Sequence, residues 1–231
     1  MAGHSEGGAA APVPSGTVTF LFTDIEGSTQ RWDRDRAAMQ EAVRLHDQLM
    51  RAAIAAHRGY VFKTVGDAFC AAFSTPENAV AAALDAQRTL GAGDWSAVDG
   101  LRVRMAINSG TADEREGDYF GPTVNRVARL LALGHGGQVL LSGIAASLAR
   151  ENPPPGATLA DLGAHELKDL QGHETVFQLV APGLKRDFPA LRAPKAGDAP
   201  WIVPDAARTK YFTGRRHLLD SIRLHLAEHH R

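Results

Sequence analysis

Tyr60-Val61-Phe62-Lys63 and Ala68-Phe69-Cys70-Ala71-Ala72-Phe73 are two short apolar, β-prone runs joined through the tight turn Val65-Gly66-Asp67. That pattern predicts a β-hairpin in the middle of the chain. On its N-terminal side, Met39, Val43, Met50 and Ile54 form one apolar stripe of a helix that starts at Ser28 or Thr29 and runs to about His57, with Gly59 as its stop. Before that helix, Val18-Thr19-Phe20-Leu21-Phe22 reads as a buried strand ending in Thr23-Asp24-Ile25-Glu26-Gly27. On the other side, Thr75-Pro76-Glu77 opens a helix whose inner side is Ala79, Val80, Ala83, Leu84 and Leu90.

Leu101, Val103, Met105 and Ile107 then alternate with Arg102, Arg104 and Ala106, a strand with one apolar face. A polar loop, Thr111 to Gly117, precedes Gly121-Pro122 and a helix carrying Val124, Val127, Ala128 and Leu131. Gln138 to Leu141 is a strand and Ile144 to Ala149 a short helix cut off by Pro153-Pro154-Pro155. Leu159 to Lys168 and Thr175 to Val180 are a final pair of extended segments. The order is strand, helix, hairpin, helix, strand, helix, strand, helix, two strands. A central hairpin in mixed order predicts an α+β fold, a largely antiparallel sheet with helices packed on it.

At 231 residues the chain has room for one ordinary domain and an appendage. Hydrophobic residues are 44% and charged residues 22%, enough apolar side chain for a core. Lys plus Arg (25) nearly balances Asp plus Glu (26), so no global charge recruits nucleic acid or an anionic membrane. One cysteine, Cys70, excludes an internal disulfide and a Cys-based zinc site and suits a reducing compartment. No apolar run reaches membrane-span length, and the Gly/Ala/Pro-rich start lacks the basic and apolar regions of a signal peptide. A cytoplasmic protein is expected, with residues 1–15 disordered, 16–181 folded and 182–231 a linker and short helical tail. Pro182, Pro189, Pro194 and Pro200 mark that linker.

Asp24 and Asp67 each stand where an apolar strand meets a turn, and the hairpin brings its tip near the end of the neighbouring strand. Converging carboxylates repel unless a cation lies between them, and oxygen donors favour Mg²⁺ or Mn²⁺. Spacing by itself favours plain turn or cap aspartates. Lys63, on the hairpin, is a donor to a ligand or a solvated lysine. Asn125 and Arg129, about 6 Å apart along one helix, suit ribose and phosphate oxygens or form an ordinary surface pair. Asp118 accepts from an exocyclic amine or is a loop residue, and Arg104 and Lys168 neutralise phosphate or face water. His225 and His229 lack the companions of a zinc site, Cys70 reads as a core residue, and no phosphate-binding Gly-x-x-x-x-Gly-Lys loop is present.

Taken together, FTDIEGST, KTVGDAF, VRMAINSG, GDYFGPTVNRVAR and HELKDLQG, in this order over about residues 16 to 181, resemble the catalytic domain of class III nucleotide cyclases. The resemblance implies a ferredoxin-like α+β sheet with packed helices and a dimer with catalytic sites at the subunit interface. It implies two Mg²⁺ or Mn²⁺ ions per site on Asp24, Asp67 and the Ile25 carbonyl. Lys63 and Asp118 match the pair that reads adenine, where a guanylate cyclase shows other residue types. Asn125 matches the residue that orients the ribose, Arg129 the one that stabilises the transition state, and Arg104 and Lys168 basic residues that hold phosphate. Expected, therefore, is an adenylate cyclase, a homodimer whose metal aspartates face the partner's Asn and Arg, and whose monomer is inactive. Two other readings stand beside it: a cyclase with relaxed or guanine preference, and a nucleotide-binding regulatory module without turnover. One departure is the short segment between Gly110 and Asp118, which in many members clasps the partner. Phe212-Thr213-Gly214-Arg215 faintly resembles the entry to signalling ATPase domains, so the tail leads to an effector domain or a partner in that reading.

Overall fold

The computed structural model describes residues 13–168, 170 and 172–193. The remaining linker prolines Pro194 and Pro200, the Phe212–Arg215 stretch, His225 and His229 lie outside the described residues. The strand at the start of the chain, β1 (Thr17–Ile25), is buried at every position but its first. Its odd- and even-numbered side chains must therefore both meet apolar partners, and the rest of the fold supplies them on two faces.

After β1 come α1 (Ser28–Arg34), α2 (Arg36–Ala56), β2 (Tyr60–Val65), β3 (Ala68–Phe73), α3 (Pro76–Ala92) and β4 (Val103–Thr111). Then follow β5 (Asp113–Arg115), β6 (Asp118–Phe120), α4 (Pro122–Leu133), β7 (Val139–Ser142), α5 (Gly143–Ala149), β8 (Thr158–Glu166) and β9 (His173–Val180). Seven strands form one sheet in the order β2-β3-β1-β4-β7-β9-β8. Only β4 and β7 are parallel, the other neighbours being antiparallel. The expected α+β architecture is what the chain adopts.

One face of the sheet, with Leu21, Ile25, Phe69, Phe73, Met105 and Ile107, packs with Met39, Met50 and Ile54 of α2 and the alanine-rich side of α3 in a single core. The other face carries Phe20 and Phe22, which meet Phe62 and Tyr119 edge-on or tilted at 5.1–6.0 Å between ring centroids. Helix α4 packs on β4, β1 and β7. This covering corrects the expected one-sided strand, since in β4 Ala106 and Asn108 on the supposedly polar face are 0% and 1% exposed.

Three local expectations change. Helix α1 is capped by neither Ser28 nor Thr29. It begins after Gly27, which takes a left-handed φ of 68° and makes no side-chain cap. The anticipated single helix breaks at Asp35, whose extended backbone and side chain, accepting from the Ala38 amide at 2.9 Å, cap a new helix. The polar loop after Thr111 is a ribbon of β5 and β6, turning at Glu116 and Gly117, both at positive φ (54° and 80°), the twist that suits a two-residue hairpin turn. Pro14, within the stretch expected to be disordered, is buried, and its carbonyl accepts from the Tyr119 hydroxyl at 2.5 Å.

Gly59 holds the α2–β2 junction for a packing reason. A Cβ there would stand 2.5 Å from Phe73 Cε1 and 2.6 Å from Ile54 Cγ2, both in the core. Gly59→Ala is expected to destabilise the fold by about 1–3 kcal/mol, visible as a lowered calorimetric Tm with the metal-free protein. An unchanged Tm would show that this junction gives way freely.

Candidate functional site

The hairpin and the end of β1 place the two aspartates at one end of the sheet. Asp24 is the penultimate residue of β1, 6% exposed, and pairs across the ladder with Arg104 of β4. Arg104 grips both its oxygens, Nε to Oδ1 at 2.7 Å and the terminal nitrogen to Oδ2. Burial pushes the Asp24 carboxyl above the usual carboxylate range, with the nearby Asp67 charge adding to the rise and Arg104 and Arg192 opposing it. Asp67 occupies the β2–β3 turn, and its Oδ2 is buried with no hydrogen-bond partner. Ile25 ends β1 with its side chain in the core, which fixes the backbone of the turn that follows.

The donor set fits a divalent cation. A buried carboxylate oxygen without a partner, beside a second carboxylate of raised pKa, is the arrangement a positive ion would relieve. Among the described residues no three or more His, Cys, Asp or Glu side chains gather around one point. Two carboxylates and a backbone carbonyl leave positions for phosphate oxygens and water, as Mg²⁺ prefers.

Lys63 and Asp118 form an ion pair. Strand β2 carries a bulge between Val61 and Lys63, so that Phe62 and Lys63 together oppose Cys70. The result sets Phe62 in the aromatic cluster and brings Lys63 to the start of β6, 6.0 Å from the centre of the Phe120 ring. Cys70, opposite Lys63, is fully buried, and burial pushes its thiol up to about 12. Its alkylation by iodoacetamide at neutral pH is expected to run at least about a thousandfold slower in the native protein than in denaturant. Comparable rates would show that β3 opens readily.

Asn125 and Arg129 lie one turn apart on α4, both half-buried, and Asn125 Oδ1 is buried without a hydrogen-bond partner. Three polar groups that sequence reading missed anchor this helix. Asn108 Nδ2 donates to the Thr123 carbonyl at 2.9 Å, Ser142 Oγ donates to Asn108 Oδ1 at 2.7 Å, and Thr123 Oγ1 donates to the Thr111 carbonyl. Gly110 allows the approach, since a Cβ there would sit 2.9 Å from Thr123 Oγ1. The hint in the sequence was Asn108, a polar residue directly after the apolar Met105-Ala106-Ile107 of β4.

The structure thus gathers Asp24, Asp67 and Arg104 in one group and Lys63 with Asp118 in another, with Asn125 and Arg129 on the neighbouring helix. Arg104, expected at phosphate, holds Asp24 through its Nε and one terminal nitrogen. Lys168 follows the end of β8 and is half-buried. Among the described residues no helix is long and apolar enough to cross a membrane.

Residues 11–181 match the family model described as "Adenylate and Guanylate cyclase catalytic domain". The chain is 40% identical over 205 residues to an uncharacterized protein of Mycobacterium tuberculosis, covering 88% of this chain and 68% of the relative. Among solved structures, an adenylate cyclase of Trypanosoma brucei analysed in its monomeric state superposes with a TM-score of 0.73 at 32% identity, over 81% of this chain and 99% of that one. The guanylate cyclase domain of RhGC from Catenaria anguillulae, solved with GTP, gives a TM-score of 0.62 at 22% identity over 71% of this chain and 96% of that one, a likeness of fold alone.

Proposed function

The chain belongs to the adenylate and guanylate cyclase catalytic-domain family, and we propose that it converts ATP to 3′,5′-cyclic AMP and pyrophosphate at two equivalent sites shared across a homodimer. The observation that carries the choice of ATP is the Lys63–Asp118 pair. A carboxylate accepts from adenine's exocyclic amine and an ammonium donates to a ring nitrogen, whereas guanine's 6-oxo group would meet the carboxylate acceptor to acceptor.

When bound, two Mg²⁺ or Mn²⁺ ions on Asp24, Asp67 and the Ile25 carbonyl would acidify the 3′-hydroxyl and neutralise charge on the phosphoryl oxygens. Asn125 would hold the ribose so that its 3′-oxygen lies in line with the α-phosphorus. Arg129 would place fixed positive charge where negative charge develops at the α-phosphate. Lys168 and the other terminal nitrogen of Arg104 would bind the remaining phosphate oxygens. The 3′-oxygen of the substrate is itself the nucleophile, so no protein nucleophile is required. In this reading the metal aspartates come from one subunit, and Lys63, Asp118, Asn125 and Arg129 from its twin.

A second reading, a nucleotide-binding module without turnover, draws support from Arg104, which occupies the carboxylate that the metals would need. Purified protein with Mn²⁺ and either ATP or GTP separates the readings. Cyclic AMP and pyrophosphate in equal amounts from ATP support the proposal. Faster turnover of GTP overturns the base assignment, and silence with both nucleotides favours the module.

A further inference from the structure

Residues 182–193, expected as the start of a linker, have no regular secondary structure yet are fastened repeatedly to the folded body. The Arg88 guanidinium donates to the Pro182 carbonyl at 3.3 and 3.1 Å, and Gln178 Nε2 to the Arg186 carbonyl at 2.7 Å. The His135 ring stacks with Phe188 at 6.3 Å and its Nε2 lies 3.0 Å from the Ala190 carbonyl. Finally the Arg192 amide donates to the Leu133 carbonyl at 2.9 Å, at the end of α4. This last bond brings the Arg192 guanidinium to the Glu26 carboxylate, 166 positions away in sequence, with which it forms an ion pair.

Glu26 directly follows Asp24-Ile25. Its amide donates to the Arg102 carbonyl at 2.9 Å, and its own carbonyl accepts from Arg31. Its carboxylate lies against Gly136, where a Cβ would stand 2.6 Å from Oε2. The turn is therefore held through backbone and side chain alike, and Arg192 is the part of that hold contributed from beyond the last strand.

We propose that Arg192 is a positioning residue for the metal-binding end of β1: by holding the Glu26 carboxylate it fixes the turn that begins directly after Asp24 and Ile25, and so makes the segment after β9 part of the site's scaffold. The inference rests on the reading of Asp24 and Ile25 as metal ligands. Two effects oppose each other here. A guanidinium near Asp24 repels a cation, which would make Arg192 inhibitory. Its charge is matched by Glu26 at contact distance, however, so the pair acts on Asp24 as a dipole whose field falls off faster than that of a lone charge. Loosening the turn, by contrast, adds an ordering cost to each binding event in full. Positioning therefore outweighs repulsion.

The test uses the full-length chain, metal-free for one measurement and with Mn²⁺ alone for the other. Hydrogen-exchange mass spectrometry follows peptides covering residues 24–31, and electron paramagnetic resonance titration follows Mn²⁺ binding. Arg192→Gln and Glu26→Gln are each expected to speed exchange of the turn and weaken Mn²⁺ binding by about tenfold, and the double variant to do no worse than either, because the two share one interaction. Arg192→Lys keeps the charge but not the planar fork, and should fall between. Arg186→Gln removes the same charge from the same segment and should match the wild type. An unchanged turn in Arg192→Gln, a looser turn with undiminished Mn²⁺ binding, or tighter Mn²⁺ binding each overturns the proposal. Failure of the metal assignment looks different: Asp24→Asn would then bind Mn²⁺ as the wild type does, whatever the exchange of the turn.

Discussion

Chains carrying Asp24→Ala or Arg129→Ala alone are each expected to make cyclic AMP at under about 1% of the wild-type rate, since removing one charge-stabilising group from a reacting centre typically costs 10²–10³. Mixed in equal amounts they should recover about a quarter of it, because half the dimers are hybrids and each hybrid holds one intact site of two. Asp24 stands at the end of β1 and Arg129 on α4. If the site is shared across a two-fold axis, one mutant chain supplies the intact aspartates and the other the intact arginine. Asp24→Ala has a structural side effect, for it strips the partner from Arg104, whose side chain is only 18% exposed. Loss of that partner costs about 1–3 kcal/mol, so Asp24→Asn, which keeps the shape, is the companion variant. Cyclic AMP production by the mixture, against each mutant alone at equal total protein, is the measurement. A silent mixture beside an active wild type would end the shared-site reading.

How far the residues announced this arrangement depends on the range of the interaction involved. The hairpin, the alternation in β4 and the apolar stripe of α2 are local patterns of period two or 3.6, and each produced the element it implied. Asp24 and Asp67 could be paired on paper because a hairpin tip and a neighbouring strand end are constrained by sheet geometry. What escaped was long-range or stereochemical. The break at Asp35 needs one residue to leave helical conformation inside an otherwise periodic run, and nothing apolar marks it. The β5–β6 turn relies on Glu116 at positive φ, a conformation glutamate seldom takes. The polar face of β4 is buried because α4 covers it, which alternation within the strand cannot reveal. Most distant of all is the segment after β9. Four prolines among glycine and lysine read as a linker, whereas His135–Phe188 and Arg192–Glu26 join positions that no local window contains.

Replacing Asp118 by alanine is expected to lower kcat/KM for ATP about a hundredfold while changing that for GTP far less, because a site that hydrogen-bonds a substrate group discriminates through it. The side chains of Lys63 and Asp118 are 32% and 25% exposed, so their ion pair is partly screened. Breaking it should cost the fold no more than about 1 kcal/mol, and a normal melting curve would separate loss of recognition from loss of structure. Two effects then act in the same direction on selectivity. ATP loses the acceptor for its exocyclic amine, and GTP is relieved of a carboxylate opposed to its 6-oxo group, so the preference narrows from both sides. Lys63→Met should be the harsher change for ATP, since it removes a donor and leaves Asp118 without its cation beside the aromatic cluster of Phe62 and Tyr119. Initial rates of cyclic product from each nucleotide, at saturating and limiting concentrations, give the ratio directly. If the ATP-to-GTP ratio of Asp118→Ala equals that of the wild type, the pair does not read the base, and selectivity must be sought in other residues.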